Sequence, residues 1–299
     1  MIRYLEHKEI DKTKWDTCVE NSAQLLPYGF SWFLDIVAEK KWNGLVLNDY
    51  EGVMPLPFKK KIGFSFIYQP FFTQQLGVFG KANAEKFIAA IPPKFKHIHT
   101  NLNWKNSMVI NSPRLKEQTN LVLELDEDFE KIRKNFSENC TRNIKKTEKH
   151  FLTLNNCSSK DLISIFKSTR GKEIAHLKKE NYAVLQKLIA EFERRKMARV
   201  QGVFSKQNEL LGGAVIVKYK SRNIFFFSAL SEEGKKQGGI FFFLLNLIKE
   251  LSAKNNLLDF EGSNNAQLAR FYRGFGATEQ NYTSYTNNRL PLLLKQLKK

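Results

Sequence analysis

Apolar and polar residues fall into blocks of different period in the stretch that begins at Asn223. The run from Asn223 to Leu230 is apolar and rich in β-forming residues, which predicts a strand. The segment Ser231 to Gly239 holds three glycines and no apolar residue, which predicts a flexible loop. Apolar residues recur at helical spacing from Ile240 to Leu251, and Leu257 to Phe260 is another apolar run. The pattern therefore predicts a strand, a glycine loop, a helix and a second strand.

The same order of elements is predicted twice along the chain. In the first half the pattern gives strand, two helices, three strands, helix and strand, at about 2–5, 12–20, 32–37, 45–47, 52–58, 64–68, 84–91 and 97–102. In the second half it gives a strand at 151–154, helices from 161 and 182, and strands at 199–204, 211–219 and 223–229. We therefore predict a mixed α/β fold of two tandem domains, 1–118 and 119–299. The first has Gly77 and Gly80 but no Gly-Gly pair before its helix, so we expect it to be degenerate.

Residues 126–150 lie between the two copies and predict one long linker helix. One face of this helix is apolar, with Phe129, Ile132, Phe136, Cys140, Ile144 and Thr147 at helical intervals. Six basic residues lie largely off that face: Lys131, Lys134, Arg142, Lys145, Lys146 and Lys149. The outer surface is therefore basic. Simple solvation of a charged face and contact with an anionic molecule both explain it.

The net charge of +18 is large for a chain of 299 residues. It indicates a polyanionic partner or an anionic surface, although a generally basic proteome explains it equally well. The N-terminus has no apolar signal segment, and the longest apolar block is far shorter than a membrane span of about 20 residues. We expect a soluble, cytoplasmic protein. His97 and His99 have no Cys or His neighbour at ligand spacing, so no metal site is expected.

The glycine pair before the predicted helix is a candidate anion site. Backbone N–H groups at a helix N-terminus face an anion, and glycine lets a phosphate approach the backbone closely. The amides of Gly238, Gly239 and Ile240 would hold the phosphate. The ordinary explanation of such a pair is that it only ends the loop before a helix and binds nothing.

Two motifs after the second strand carry a family resemblance. They are Asp259-Phe-Glu-Gly-Ser with Asn264, and Phe271-Tyr-Arg-Gly-Phe-Gly-Ala277. Together with the glycine turn, they resemble the C-terminal half of the GNAT acyltransferase fold, and most closely the tandem-GNAT proteins that include FemAB-type aminoacyl transferases. The segment Arg142-Asn-Ile-Lys-Lys146 is similar to one that such proteins carry between their copies. The resemblance covers residues 200–286 well and extends more weakly back to 120. It implies two GNAT-like domains, with the acyl donor bound by the second.

The resemblance and the residue types together suggest roles for the polar residues. Glu261 is the candidate base and Tyr272 the candidate acid that protonates the leaving group. Asp259 shares a face with Glu261 and is the third catalytic candidate, or else caps a helix or orders the loop. Tyr272, similarly, could be packed in a helix rather than catalytic. The candidate donor-binding residues are Gln237, Gly238, Gly239, Ile240, Asn264 and Arg273, and the candidate acceptor-binding residues are Arg142 and Lys145.

The implied function is transfer of an acyl or aminoacyl group from an activated donor to an amine on an anionic acceptor, such as a cell-wall precursor. The loop Lys235-Lys-Gln-Gly-Gly-Ile240 departs from the usual CoA loop, because isoleucine stands where a small residue belongs. The second copy also lacks room for the coiled-coil arm common in FemAB-type enzymes. Acyl-CoA and aminoacyl-tRNA therefore both stay open as donors, with tRNA a conceivable partner. The alternative function is a basic module that binds nucleic acid or a membrane surface on a catalytically dead GNAT fold.

Overall fold

The computed structural model describes residues 1–61, 63–108, 110, 112–174 and 177–291. The chain divides into two compact units. The first contains residues 1–118 together with the segment that begins at Asn281, and the second contains residues 119–280. Among the described residues, no helix is both long enough and apolar enough to cross a membrane.

The first part of the chain alternates strands with short helices. Its elements are β1 (Ile2–Leu5), α1 (Lys12–Glu20), α2 (Ser31–Val37), β2 (Trp42–Leu47), β3 (Gly52–Lys61), β4 (Phe64–Ile67), β5 (Phe79–Gly80), α3 (Ala84–Ala89), β6 (Phe95–Leu102), α4 (Trp104–Ser107) and β7 (Leu115–Gln118).

The second part repeats this alternation with longer helices. Its elements are β8 (Leu121–Glu124), α5 (Phe129–Lys134), α6 (Glu138–Thr147), β9 (Thr153–Asn156), α7 (Ser159–Ser168), α8 (Lys179–Arg194), β10 (Ala198–Phe204), β11 (Leu210–Tyr219), β12 (Arg222–Leu230), α9 (Glu232–Lys236), α10 (Gly239–Leu251), β13 (Leu257–Asp259), α11 (Ala266–Arg273), β14 (Thr278–Glu279) and β15 (Tyr282–Asn288). A 3₁₀ helix at Arg170–Glu173 follows α7.

Each unit is built on one mixed sheet, and the two sheets have the same layout. The strand order is β1-β2-β3-β4-β6-β15-β7 in the first unit, with β5 beside β3, and β9-β10-β11-β12-β13-β8-β14 in the second. In each sheet one neighbouring pair is parallel, β4 with β6 and β12 with β13, and the other pairs along the order are antiparallel. This is the mixed α/β fold class that the sequence predicts.

The last strand of the chain lies in the first unit. Residues of β15 pair with β6 on one side and with β7 on the other, whereas the sequence assigns them to the second domain, 119–299. In the same way β8, which follows the first copy, pairs with β13 and β14 in the second sheet. The local sequence pattern identifies a strand but not its partner. The predicted boundary at 118 separates the two halves, but the strand β15 returns to the first sheet. Residues 292–299 lie outside the described residues.

The predicted linker helix is broken into α5 and α6. The chain leaves the helix at Asn135, and Ser137 caps α6 by accepting a hydrogen bond from the Cys140 amide at 3.2 Å. The Ser137 amide donates to the carbonyl of Gly274 at 2.9 Å, which fixes the break against the end of α11. Most of the predicted apolar face is buried: Ile132, Phe136, Cys140, Ile144 and Thr147.

Candidate functional site

The parallel strands β12 and β13 separate after three residue pairs. Arg222 to Ile224 pair with Leu257 to Asp259, and β12 then continues to Leu230 while β13 ends. A cavity of about 250 Å³ lies beside the part of β12 that continues past β13. The cavity is lined by residues of β12, α7, α9, α10, α11 and the turn after α7: Phe166, Thr169, Arg170, Phe225, Ser228, Ala229, Leu230, Lys235, Ile240, Leu268, Phe271 and Tyr272. Most of its wall is therefore apolar.

Tyr272 lines this cavity from α11. Its ring is 6% exposed and stacks on Phe260, with the ring centroids 4.4 Å apart and the planes 18° from parallel. Burial raises the pKa of Tyr272 to about 12, the charge of Glu261 adds to the rise, and Arg170 opposes it. The hydroxyl therefore keeps its proton at neutral pH, as a proton donor must.

Glu261 follows β13 in a tight turn close to Tyr272. Its φ of +48° and the +55° of Gly262 place two consecutive residues in the left-handed region. The Glu261 amide donates to Asp259 Oδ1 at 3.1 Å, and its carbonyl accepts from Ser263 Oγ at 2.9 Å. Glu261 is half-buried and is not part of the cavity wall, but its charge reaches Tyr272. The charge of the predicted base therefore acts on the predicted acid, while the base itself stands outside the cavity wall.

Asp259 has a structural position rather than the predicted catalytic one. Its side chain is 0% exposed and forms an ion pair with Arg222, which is 1% exposed. Asp259 Oδ1 also accepts from Asn120 Nδ2 at 3.0 Å, and Arg222 Nη2 donates to Gln280 Oε1 at 2.6 Å. A carboxylate enclosed in this way is satisfied by fixed donors and cannot meet a substrate. Of the two roles considered for Asp259, ordering the loop is the one that fits these contacts.

The glycine pair is required by packing around the start of α10. Gly238 has φ +72°, and a Cβ added there would lie 2.9 Å from the Thr147 methyl group on α6. A Cβ on Gly239 would lie 3.1 Å from the carbonyl oxygen of Gly234. The segment predicted as a flexible loop contains the helix α9, capped by Ser231, whose Oγ accepts from the Gly234 amide at 3.0 Å. The Phe241 and Phe242 amides of α10 donate to the Gly238 carbonyl at 2.9 and 3.2 Å. The Gly238 amide donates to the Lys235 carbonyl at 3.1 Å, so of the three amides predicted to hold a phosphate that of Gly238 is already used. Ile240 reaches the cavity.

The other predicted binding residues lie outside the cavity wall. Gln237 ends α9 and donates to Glu233 at 2.9 Å, Asn264 accepts from the Thr119 amide at 2.9 Å, and Arg273 pairs with Glu279 at 2.6 Å. Arg142 and Lys145 are exposed on α6, where Arg142 Nη2 lies 3.4 Å from Asn139 Oδ1. The described residues contain no group of His, Cys, Asp and Glu side chains arranged for a metal ion.

Two residues of this region are not predicted from the sequence. Arg170 lines the cavity but belongs to a polar stretch without a motif. Arg222 begins β12, one residue before the predicted strand. A single charge at the start of a fully apolar strand was the available signal for Arg222, since such a charge needs a buried partner.

Comparison with other proteins identifies the fold. No protein-family model and no curated protein matches the sequence. The crystal structure of FemX superposes with a TM-score of 0.70 at 11% identity, covering 99% of this chain and 100% of FemX. A conserved protein of unknown function from Bacteroides thetaiotaomicron gives 0.60 at 6% identity, covering 96% of this chain and 100% of that one. L-PGS from Bacillus licheniformis gives 0.50 at 12% identity, covering 88% and 90%.

Identities this low establish the fold and leave the activity to be argued from the site. The match to FemX runs over almost the whole of both chains. The motifs that carry the GNAT resemblance lie at the end of β13 and on α11, beside the gap between the strands. The protein therefore has the tandem GNAT-like fold of FemX.

Proposed function

We propose that the protein is an N-acyltransferase and that the cavity beside β12 is its reaction chamber. One observation carries the proposal: this largely apolar cavity has a buried tyrosine, Tyr272, in its wall. Acyl transfer to an amine requires such a water-poor space, a proton for the leaving group and a base for the amine. Tyr272 and Glu261 would supply the last two.

In the reaction, the amine nitrogen attacks the carbonyl carbon of the donor and the new C–N bond forms. The bond from that carbon to the leaving sulfur or oxygen breaks, and the leaving group takes the hydroxyl proton of Tyr272. The proton lost by the amine goes to the Glu261 carboxylate, and after the products leave, transfer of a proton through solvent from Glu261 to the Tyr272 oxygen restores both groups. If so, Glu261→Gln should lower kcat by about 10²-fold while donor affinity is retained. Unchanged kcat in Glu261→Gln would assign the base to another group.

The donor is an activated acyl or aminoacyl compound that carries phosphate. The N-terminal end of α10 is suited to a phosphate because its first amides and the helix dipole favour an anion. Acyl-CoA and aminoacyl-tRNA both meet this description, and Arg273, which ends α11 and pairs with Glu279, would exchange that partner to contact a phosphate tail. Titration of the protein with each donor, followed by mass spectrometry of products, tests the proposal. If neither donor binds, the donor site does not lie at the N-terminal end of α10.

The acceptor is an amine on an anionic molecule. Arg142 and Lys145 are exposed on α6, and guanidinium binds phosphate or carboxylate through two parallel hydrogen bonds. Arg142→Ala should raise the acceptor KM and leave donor affinity unchanged, because the contact exists before and during the reaction. Lys187→Ala, an exposed lysine on α8, is the matched control. Unchanged acceptor kinetics would reduce the basic face to a solvated surface.

A purely binding protein would behave differently in the same assays. It would give no product with either donor, and its affinity for nucleic acid would fall steeply with salt because phosphate contacts release counterions. Measuring product and salt dependence on one preparation separates the two functions.

A further inference from the structure

The cavity in the second unit carries positive charge on its wall without a matching negative charge. Its two charged lining residues are Arg170 and Lys235, and none of the lining residues is acidic. Lys235 pairs with Glu232 at 2.6 Å. The guanidinium of Arg170 makes neither a hydrogen bond nor an ion pair with any residue that the structure describes. A guest of the cavity therefore meets one cation that is not already neutralised by a neighbour.

The backbone that carries Arg170 is held firmly. Thr169 Oγ1 donates to the Ile165 carbonyl at 2.7 Å, and the Lys172 amide donates to the Thr169 carbonyl at 3.2 Å. Gly171 is buried, and a Cβ added there would lie 2.5 Å from Tyr182 Oη and 2.8 Å from the Phe166 carbonyl oxygen. The turn is thus wedged between α7 and α8. The side chain of Arg170 is exposed, and because its backbone is held only that side chain has to be ordered on a ligand.

Arg170 also lies close to the proposed reacting groups. It lines the same cavity as Tyr272, and its charge partly opposes the rise that burial causes in the pKa of that tyrosine. A group bound by Arg170 would therefore sit beside the point where the leaving group is protonated. Guanidinium is planar and stays charged, and it matches a carboxylate with two parallel hydrogen bonds.

The size of the cavity limits what can enter. At about 250 Å³ it is smaller than the roughly 300–1,000 Å³ of pockets that enclose drug-sized ligands. It accommodates a short acyl group and the reactive end of an acceptor, and the rest of a larger precursor would lie outside it. Because Arg170 and Tyr272 line the same cavity of this size, an anion bound by Arg170 lies within a few bonds of the reacting atoms.

We propose that the acceptor is an amine with a carboxylate a few bonds from the nucleophilic nitrogen, as in an amino acid, and that Arg170 binds this carboxylate. The inference rests on the proposed acyl transfer and adds to it the class of acceptor. A carboxylate on the transferred acyl group offers the same chemistry at the same place. The experiment below separates these two sources.

Binding of product analogues tests the inference without turnover. N-acetyl amino acids resemble the product, and their C-terminal amides differ only in lacking the carboxylate charge. Calorimetry with a panel of both should show at least one acid that binds wild type about tenfold or more tightly than its amide. Arg170→Met should abolish that difference, Arg170→Lys should keep part of it, and Lys172→Met, an exposed neighbour in the same turn, should keep all of it.

Two results would overturn the inference. One is equal binding of acids and amides by wild type across the panel, and the other is discrimination that persists in Arg170→Met. The second source is tested by comparing acetyl-CoA with succinyl-CoA: if Arg170→Met weakens only the succinyl donor, the carboxylate belongs to the acyl group and the acceptor assignment is wrong. If the protein transfers acyl groups but binds acids and amides equally, the inference is wrong and the proposed function stands. If it binds acids but transfers no acyl group from any donor, the proposed function is wrong.

Discussion

The two units share a strand layout but treat the gap beside their parallel strands in opposite ways. In the second unit β12 continues past the end of β13, and a cavity lies beside that part of β12. In the first unit β4 and β6 are also parallel, but the chain after β4 folds back onto the edge of β6. The Leu76 amide donates to the Asn101 carbonyl at 2.8 Å, and Gln69 Oε1 accepts from the Asn101 amide at 2.9 Å.

Whether space for a ligand remains beside the parallel strands depends on which groups pair with the open strand edge. A strand edge presents unpaired N–H and C=O groups that need partners. In the first unit the segment from Gln69 to Leu76 supplies them, so the gap is filled by protein. In the second unit the edge left beside the cavity belongs to β12, which takes the place of β4 rather than of β6 in the strand order. The predictions below test this contrast.

The largest effect should come from breaking the buried pair that joins β12 to β13. Asp259→Ala leaves the Arg222 guanidinium buried without its partner, and we expect a loss of about 3–5 kcal/mol in the free energy of unfolding measured by urea denaturation. The first unit joins its strands through the apolar pair Ile67 and Ile98, where Ile98→Val should cost only about 0.5–1.5 kcal/mol.

A double variant sharpens this test. Arg222→Met with Asp259→Leu removes both charges, and it should recover most of the stability lost in Asp259→Ala. If Asp259→Ala and Ile98→Val cost the same, the ion pair is not what distinguishes the second unit.

The next effect concerns chemistry and should be confined to the second unit. Tyr272→Phe should lower kcat by about 10²-fold with unchanged donor affinity, because only the proton donor is lost. Tyr285→Phe, which changes a buried tyrosine of the first unit, is the matched control and should keep full activity. An active Tyr272→Phe enzyme would show that the cavity tyrosine is merely packed.

The pH dependence of kcat checks the same assignment. The pKa of Tyr272 is raised to about 12 from the ordinary value near 10. Its proton is therefore present throughout the neutral and mildly alkaline range and is lost only as the pH rises through 12. We expect no fall in kcat between pH 7 and about 10 that can be traced to this tyrosine. A fall that disappears in Tyr272→Phe would contradict the raised pKa.

A smaller effect on stability is expected when either of two glycines with nearly equal backbone conformation is replaced by alanine. Gly238 in the second unit and Gly63 in the first have φ of +72° and +74°. An added Cβ at Gly63 has nothing within 4 Å, whereas one at Gly238 meets Thr147 at 2.9 Å. Gly63→Ala should therefore cost about 1 kcal/mol of backbone strain, and Gly238→Ala about 2 kcal/mol or more. Thermal unfolding of both variants, and of Gly238→Ala with Thr147→Ser to remove the contacting methyl, measures the steric part.

The smallest effect is expected in the segment from Gln69 to Leu76 of the first unit, which pairs with the edge of β6. Gln69→Leu removes the acceptor of the Asn101 amide and should cost about 1–2 kcal/mol. Hydrogen exchange at that amide should become faster, while amides of β2 are unchanged. Unaltered exchange at Asn101 would mean that the side chain of Gln69 does not close the edge of β6.

The sequence predicts the fold class because it depends on local signals. The apolar run of β12, the helical spacing of α10 and the glycine pair identify these elements, and the apolar face of α6 is visible in its period. Tyr272 and Glu261 are found through a motif. The pairing of Arg222 with Asp259 is not visible, because nothing near either residue in the sequence shows which charge lies opposite.

The same limit applies to Arg170 and to β15. Arg170 reaches the cavity only because the turn after α7 is folded over it, and a polar turn in the sequence gives no sign of this. The strand at 282–288 is readily predicted, but its period is the same whether it pairs with β6 or extends the second sheet. Long-range partners are set by the whole fold and not by local periodicity.

The position of β15 has a consequence for biosynthesis. The first sheet lacks the strand between β6 and β7 until residues 282–288 have left the ribosome. At roughly 5–20 residues per second, the second unit takes about ten to thirty seconds to be made. During that time β6 has an open edge and β7 has no partner in its sheet, a state that invites pairing with other chains. The first unit is therefore begun first and completed last, and a chain truncated before 282 should aggregate rather than yield a stable N-terminal half.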